Sequence, residues 1–474
     1  MTSRVVLVPI ALAAFVTSLD NTVVNVALPS MQREFGLPVS GLQWIATSYI
    51  LAFSGLLLAG GRLTDLYGRR RVFLIGLGLF VGASVLAGFA TSGDFLVGAR
   101  VLQGVGAALV LPSTLAVLAA DVAPAARHLG AGIFTASIAL SLALGPVVGG
   151  ALAEYWHWSW IFFLNVPIGL FTMALGARTI GRSRADGQGI DVAGLVTSTV
   201  AMTALAYALI EGHAKGLGSP DILIAAVLAV VGGAAFVVVE RFAQAPMIDV
   251  TLFANRVFSG GTAAQVLWGL GINGVFFFTS LFLQDVLALS PTAAGAMFVP
   301  LAIALVLFVP VSALLANRAG VHRTVAGGMV LIAIGLVWVS FVGRGDTAAM
   351  LLPGLVLIGV GSALTTPLTS AVLEVVPEAK AGVAAAVVSV SREVSGVLGI
   401  ALTGAVVAAR EAAATADGAA PVDAFASGYA LGLWCSAALT LLGGAISLVT
   451  LRPFPAAEPV RPLQPVRGVT SPDS

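Results

Sequence analysis

GVGAALVLP, residues 104–112, returns as GVGSALTTP at residues 359–367, a shift of 255 positions. GRLTDLYGRRR at 61–71 returns in eroded form as ALLANRAGVHR at 313–323, a shift of 252, and Pro38 and Gly41 answer to Pro291 and Gly295. These segments sit among fourteen apolar runs, near 5–28, 43–62, 72–91, 95–119, 129–153, 160–178, 190–210, 221–239, 257–283, 292–316, 324–342, 348–371, 382–408 and 427–450. About 20 apolar residues cross the roughly 30 Å of hydrocarbon in a bilayer as a helix. The runs lack period-2 alternation, which argues against a barrel. The matches tie the second and fourth runs to the tenth and twelfth. Eight is an even number of crossings, so the two copies point the same way. Parallel repeats of this kind relate the halves of secondary transporters. The expected fold is an all-α integral membrane protein: two six-helix bundles with two extra transmembrane helices inserted between them.

Composition agrees. Of 474 residues 58% are apolar and 9% charged, against about 25% charged in a soluble domain, and the mean hydropathy is +1.03. The expected units are an N-terminal bundle (1–178), a linker with the two inserted helices (179–240), a C-terminal bundle (241–452) and a disordered tail (453–474) rich in proline. Counting basic residues with the N-terminus inside puts 17 of 23 on the cytoplasmic side, the bias that sets orientation, so both termini are expected in the cytoplasm. The first run resembles a signal peptide but has no convincing cleavage site, and is read as retained. A net charge of +1 gives no field for nucleic acid. The single cysteine, Cys435, excludes an intrachain disulfide framework and a Cys-rich metal site, and the four histidines lack metal-ligand spacing. Neither lysine follows a glycine, so no phosphate-binding P-loop exists. No enzyme activity and no cofactor are expected.

Ionisable residues inside spans are costly, about 2.5–3.5 kcal/mol each at mid-span on insertion scales. Asp20 in the first run and Arg100 in the fourth lie at similar depth and could pair if their helices are neighbours. A carboxylate that alternates between a paired and a protonated state can load and release a proton. The competing reading is a static pair that fixes helix register. Arg392 and Glu393 lie about twelve residues into the thirteenth run. Adjacent helix residues diverge by about 100°, so the two are expected to face different surroundings; Glu393 is a second candidate for protonation, or else a structural partner of Arg392. Asn21, Asn25, Gln103, Gln265 and Asn273 are candidates for lining a substrate path, with interhelical hydrogen bonding as the alternative.

These residues fall in segments that resemble the signatures of the major facilitator superfamily, and within it the fourteen-span drug–proton antiporters of EmrB/QacA type. LDNTVVNVALP (19–29) is similar to that branch's first-helix motif. GRLTDLYGRRR matches the superfamily's loop pattern at Gly61, Leu63, Asp65, Gly68, Arg69 and Arg70, with Leu66 where a basic residue is usual. RVLQG (100–104) supplies Arg100 and Gln103, and GPVVGG (145–150) is similar to the antiporter motif, with Gly132 upstream and Ser141 where glycine is usual. WHWSWIFFLNVPIG (156–169) and PMIDVTLFANRVF (246–258) complete the order. The resemblance implies a major facilitator fold and a proton-driven exporter of lipophilic, often cationic, small molecules, working by alternating access without ATP. It puts Asp20 and Arg100 at motif positions of that branch, which implies proton and substrate coupling there; Glu393 and Arg392, read from their place inside a span, are the further coupling candidates. Gly61, Asp65, Gly68, Arg69, Arg70 and Arg71 would form a latch between the halves at the cytoplasmic gate. Gly145, Pro146, Gly149 and Gly150 would form a close-packed kink at the seam. The implied partners are the lipid bilayer, protons and a small molecule, for a monomer in a bacterial inner membrane. Alternatives are a dedicated exporter of one metabolite and a sensor built on a transporter scaffold.

Overall fold

A computed structural model describes residues 5–182, 191–242, 248, 250–377 and 380–452; the expected tail at 453–474 lies outside them. Fourteen helices are long and apolar enough to span a membrane: α1 Leu7–Phe35, α2 Val39–Tyr67, α3 Arg69–Gly88, α4 Gly93–Asp121, α5 Arg127–Tyr155, α6 Trp160–Thr179, α7 Val192–Gly212, α8 Pro220–Phe242, α9 Arg256–Val286, α10 Pro291–Ala319, α11 Val321–Ser340, α12 Ala348–Glu374, α13 Val383–Ala416 and α14 Pro421–Thr450. Each answers to one apolar run. Several overshoot it: α1 continues to Phe35 and α13 to Ala416, because polar residues such as Gln32, Arg33 and Glu34 extend a helix as readily as apolar ones once it leaves hydrocarbon. Prolines mark the irregular turns. α6 breaks at Leu164, where Pro167 cannot donate to the Phe163 carbonyl, and α10 breaks after Ala296, where Pro300 cannot donate to Ala296. By contrast α5 runs unbroken through Pro146.

α1 packs on α5, α2 on α4, and α3 on α4 and α6; eight helices later α9 packs on α13, α10 on α12, and α11 on α12 and α14. The repeated glycines explain why the opening motif occurs twice. A Cβ on Gly104 would strike the Tyr49 carbonyl of α2, and one on Gly359 the Leu301 carbonyl of α10. Gly106 meets α3 at Phe80, and Gly361 meets α11 at the Gly328 carbonyl. Small residues at these positions let backbones approach where lipid supplies no hydrophobic drive between helices. The inserted helices pack mainly on each other, and α7 also touches α2 and α13, covering that seam between the bundles.

The two halves are joined unevenly. On the far side, opposite the start of α1 and the end of α14, one apolar core unites Leu28, Leu42 and Ile45 with Phe277, Phe282, Ile400 and Tyr429. On the near side the apolar core divides, into one cluster around Phe73 and Val117, which Val397 of α13 joins from the C-terminal half, and another around Phe258 and Val372. Far-side contacts are close and polar as well as apolar. Gly150 lies against the Pro291 carbonyl and Gly295 against the Pro146 carbonyl. The Thr292 N–H donates to Glu154 Oε2 at 2.9 Å, Gln284 Nε2 to the Val26 carbonyl at 2.9 Å, and Gln43 Nε2 to the Ile400 carbonyl at 3.0 Å.

Candidate functional site: a buried ion-pair network beside a central cavity

Asp20 and Arg100 meet as the sequence suggests. The Arg100 Nη1 group donates to Asp20 Oδ2, and both side chains are fully buried. Gln103 sits three residues along α4, on the same face, and donates to Asp20 Oδ1 at 3.0 Å while accepting from Arg100 at 3.0 Å. Two members carry no mark in the sequence reading. Asn165 Nδ2, at the break in α6, donates to Asp20 Oδ1 at 2.6 Å, and Ser84 of α3 accepts from Gln103 at 2.9 Å. The guanidinium also donates to the Ile45 carbonyl at 3.3 Å and lies 4.5 Å from the Tyr49 ring centre. A buried ion pair needs such satisfied surroundings, since desolvation otherwise exceeds the Coulombic gain. Satisfaction here is incomplete: among the described residues Arg100 Nη2 and Asn165 Oδ1 have no hydrogen-bond partner. Asn165 lies in the quoted stretch 156–169, and its signal was a lone amide inside an apolar run.

This network lies inside the N-terminal bundle. Asp20 and Gln103 do not line the cavity between the halves, which is walled by their neighbours Asn21, Thr22 and Asn25 on α1, together with Trp268, Asn273 and Phe276 on α9, Phe298 on α10 and Ile400 on α13. Successive helix residues point about 100° apart, so α1 carries the carboxylate on one face and cavity amides on another. The cavity has about 200 Å³ of room for the centres of water-sized spheres. Among the described residues no charged side chain lines it. Of the expected lining residues Asn21, Asn25 and Asn273 are in place, while Gln265 is buried on α9 away from the wall. The aromatic wall was illegible in sequence, because a phenylalanine in an apolar span looks the same whichever way it faces.

Arg392 and Glu393 do bond to each other, at 3.1 Å, with Arg392 half exposed; the long Arg side chain folds back across the angle between adjacent residues. In the loop after α2, Gly68 takes φ 87°, a left-handed turn that favours glycine. Arg69 forms a two-point pair with Asp121 of α4 at 2.9 and 2.6 Å, and Arg70 donates to the Ala177 carbonyl at the end of α6. These bonds stay within the N-terminal half. Gly61, Arg62 and Asp65 instead line an open near-side groove facing Val383, Ala386 and Ser389 of α13, so in this conformation the arginines make no latch across the halves among the described residues. In the 145–150 segment Gly145 and Gly149 pack on α1 and Gly150 on α10, whereas among the described residues no neighbouring helix comes within 4 Å of where a Cβ on Gly132 would stand. Ser141, where glycine is usual, is buried and its carbonyl accepts from Thr22 at 3.2 Å.

The pattern that defines the Major Facilitator Superfamily matches residues 10–400. The chain belongs to this superfamily. It is 35% identical over 459 residues to the puromycin resistance protein pur8 of Streptomyces alboniger, covering 94% of this chain and 90% of that protein. Multidrug resistance protein Stp of Mycobacterium tuberculosis (strain CDC 1551 / Oshkosh) is 35% identical over 411 residues, 86% of this chain and 76% of that one. The cephamycin export protein CmcT of Amycolatopsis lactamdurans is 35% identical over 410 residues, 85% and 84%. An auto-inhibited POT family peptide transporter superposes with a TM-score of 0.71 at 16% identity, covering 97% of this chain and 98% of that one, which is likeness of fold. The protein is thus a membrane transporter of the superfamily, not an enzyme, and its relatives are named for drug resistance and export.

Proposed function

We propose that the chain is a proton-coupled exporter in a bacterial inner membrane, exchanging protons for lipophilic, often cationic, small molecules by alternating access. One observation carries the reading: α1 bears a fully buried carboxylate, paired with Arg100, back to back with the amides that wall the substrate cavity. Protonating Asp20 removes half of a buried pair and releases Arg100, a change of several kcal/mol that α1 passes directly to the cavity wall. Proton and substrate then compete through the position of α1 and not for one shared acid. The apolar, charge-free cavity suits lipophilic molecules, and the faces of Trp268, Phe276 and Phe298 suit a desolvated cation. The basic residues argue that the near side is cytoplasmic, so the open groove at Asp65 belongs to an inward-facing state that loads from inside. Glu393 is a second coupling candidate, weaker because its pair with Arg392 is partly exposed whereas that of Asp20 is fully buried. A narrower reading, export of one metabolite, draws support from relatives named for puromycin and cephamycin.

The test is proton flux in inverted vesicles with an imposed acid-inside gradient, challenged with lipophilic cations and neutral antibiotics. Substrate-dependent proton release in wild type and its loss in Asp20→Asn, at equal expression, are expected. Normal coupled export by Asp20→Asn would remove the pair from the mechanism.

A further inference from the structure

A pocket at the near-side membrane boundary takes in Arg70 and Arg71 of the expected gate loop but faces away from the cavity and the seam. It is lined by Arg70, Arg71, Arg182, Tyr67, Leu66 and Leu74, where the turn between α2 and α3 meets the end of α6. Three arginines line one depression, and among the described residues no carboxylate pairs with Arg71 or Arg182. The surround is built and not a loose surface cluster. Gly68 sets the turn in a left-handed conformation, Arg69 is pinned to Asp121 from two atoms, and Arg70 is tied to the Ala177 carbonyl. Arg69, Arg70 and Arg71 also occupy the first turn of α3, which holds no acidic residue and no capping side chain. Cations there oppose the positive end of the helix dipole, a repulsion that a bound anion would relieve.

Beside the arginines the pocket is apolar. Leu66 and Leu74 are among its walls, Tyr67 is 59% exposed, and Ile75 on the next turn is 63% exposed, as at a boundary where rings sit at headgroup level and aliphatic chains face lipid. Guanidinium groups match phosphate oxygens in pairs, and basic pockets between transmembrane helices take anionic headgroups. We propose that Arg70, Arg71 and Arg182 bind the phosphate of an anionic phospholipid, with its acyl chains along Leu74 and Ile75. The shared chemistry is a phosphate monoanion. The apolar flank and the position at the end of the spans select the lipid over a free ion.

Thermal melting of the full-length purified protein in mixed micelles tests this, since a ligand bound only to the folded state raises Tm. The probes are dioleoylphosphatidylglycerol, dioleoylphosphatidylcholine and inorganic phosphate, at matched ionic strength. Phosphatidylglycerol is expected to raise Tm above both others, with more than half of that increment lost in R71Q/R182Q and most of it kept in R71K/R182K. R182Q alone, beyond the last turn of α6, covers the case of a double variant that folds poorly, and is expected to lose part of the increment. Equal stabilisation by phosphatidylcholine, or an undiminished increment in R71Q/R182Q or in R182Q, would overturn the site. An equal increment from inorganic phosphate, abolished in R71Q/R182Q, would overturn the lipid assignment.

Discussion

Asp20 illustrates how much one residue can announce and how much it leaves to its neighbours. An acid in the middle of an apolar run is conspicuous, and so is an arginine at similar depth. That Ser84 and Asn165 complete the shell depends on helices brought together from separate parts of the chain. The bonding pattern makes unequal demands. Arg100→Ala leaves a buried carboxylate uncompensated and should cost about 3–5 kcal/mol, whereas Asn165→Ala removes one of several donors and should cost about 1–3 kcal/mol. Melting of the purified variants separates these values. A double variant lacking both Asp20 and Arg100 should be less destabilised than the sum of its parts; strict additivity would mean that the two do not interact.

Among elements, α4 and α12 repeat one another because they solve the same packing problem. Gly106→Val and Gly361→Val push a side chain into the backbone of α3 and α11 respectively. Each should destabilise the protein by about 1–3 kcal/mol, and by similar amounts if the halves are equivalent. Gly132 is the contrast, a motif glycine with open space around it. Gly132→Ala should be neutral or stabilise α5 by up to about 1 kcal/mol. If that variant folds well yet loses export, Gly132 must meet a neighbour in another conformation. The irregular turns in α6 and α10 follow from Pro167 and Pro300 and were open to reading from sequence; the exact helix ends were not, because hydropathy reports the hydrocarbon and not the hydrogen bonding that carries α1 on to Phe35.

For the whole molecule, the halves share one apolar core on the far side and divide into two clusters on the near side, where α13 alone reaches the N-terminal one through Val397. Glu154 of α5 holds the first turn of α10 across the seam, a bond that would have to break for the far side to open in the proposed alternating-access cycle. Glu154→Ala should therefore raise the fraction of molecules with the far ends of α5 and α10 apart. Distances between spin labels on those ends, in a Cys435→Ser background, would record it. An unchanged distribution would assign closure to the glycine contacts of Gly150 and Gly295 alone.

Hydropathy, parity and repetition are properties of the chain itself, and they sufficed for fourteen helices, two bundles and the inserted pair. Each follows from local physics: a span must be apolar over its length, and an even number of crossings returns the chain to the same side. The partners of the conspicuous charges were half legible, since an ion inside lipid must find a counter-ion but several could serve. Only tertiary structure decided that Asp20 turns into its own bundle while Asn21 and Asn25 face the cavity, that the arginines after α2 bond within one half, and that Arg392 pairs with Glu393. These outcomes depend on the rotation of each helix about its axis, and that rotation is set by which glycines let which backbones approach.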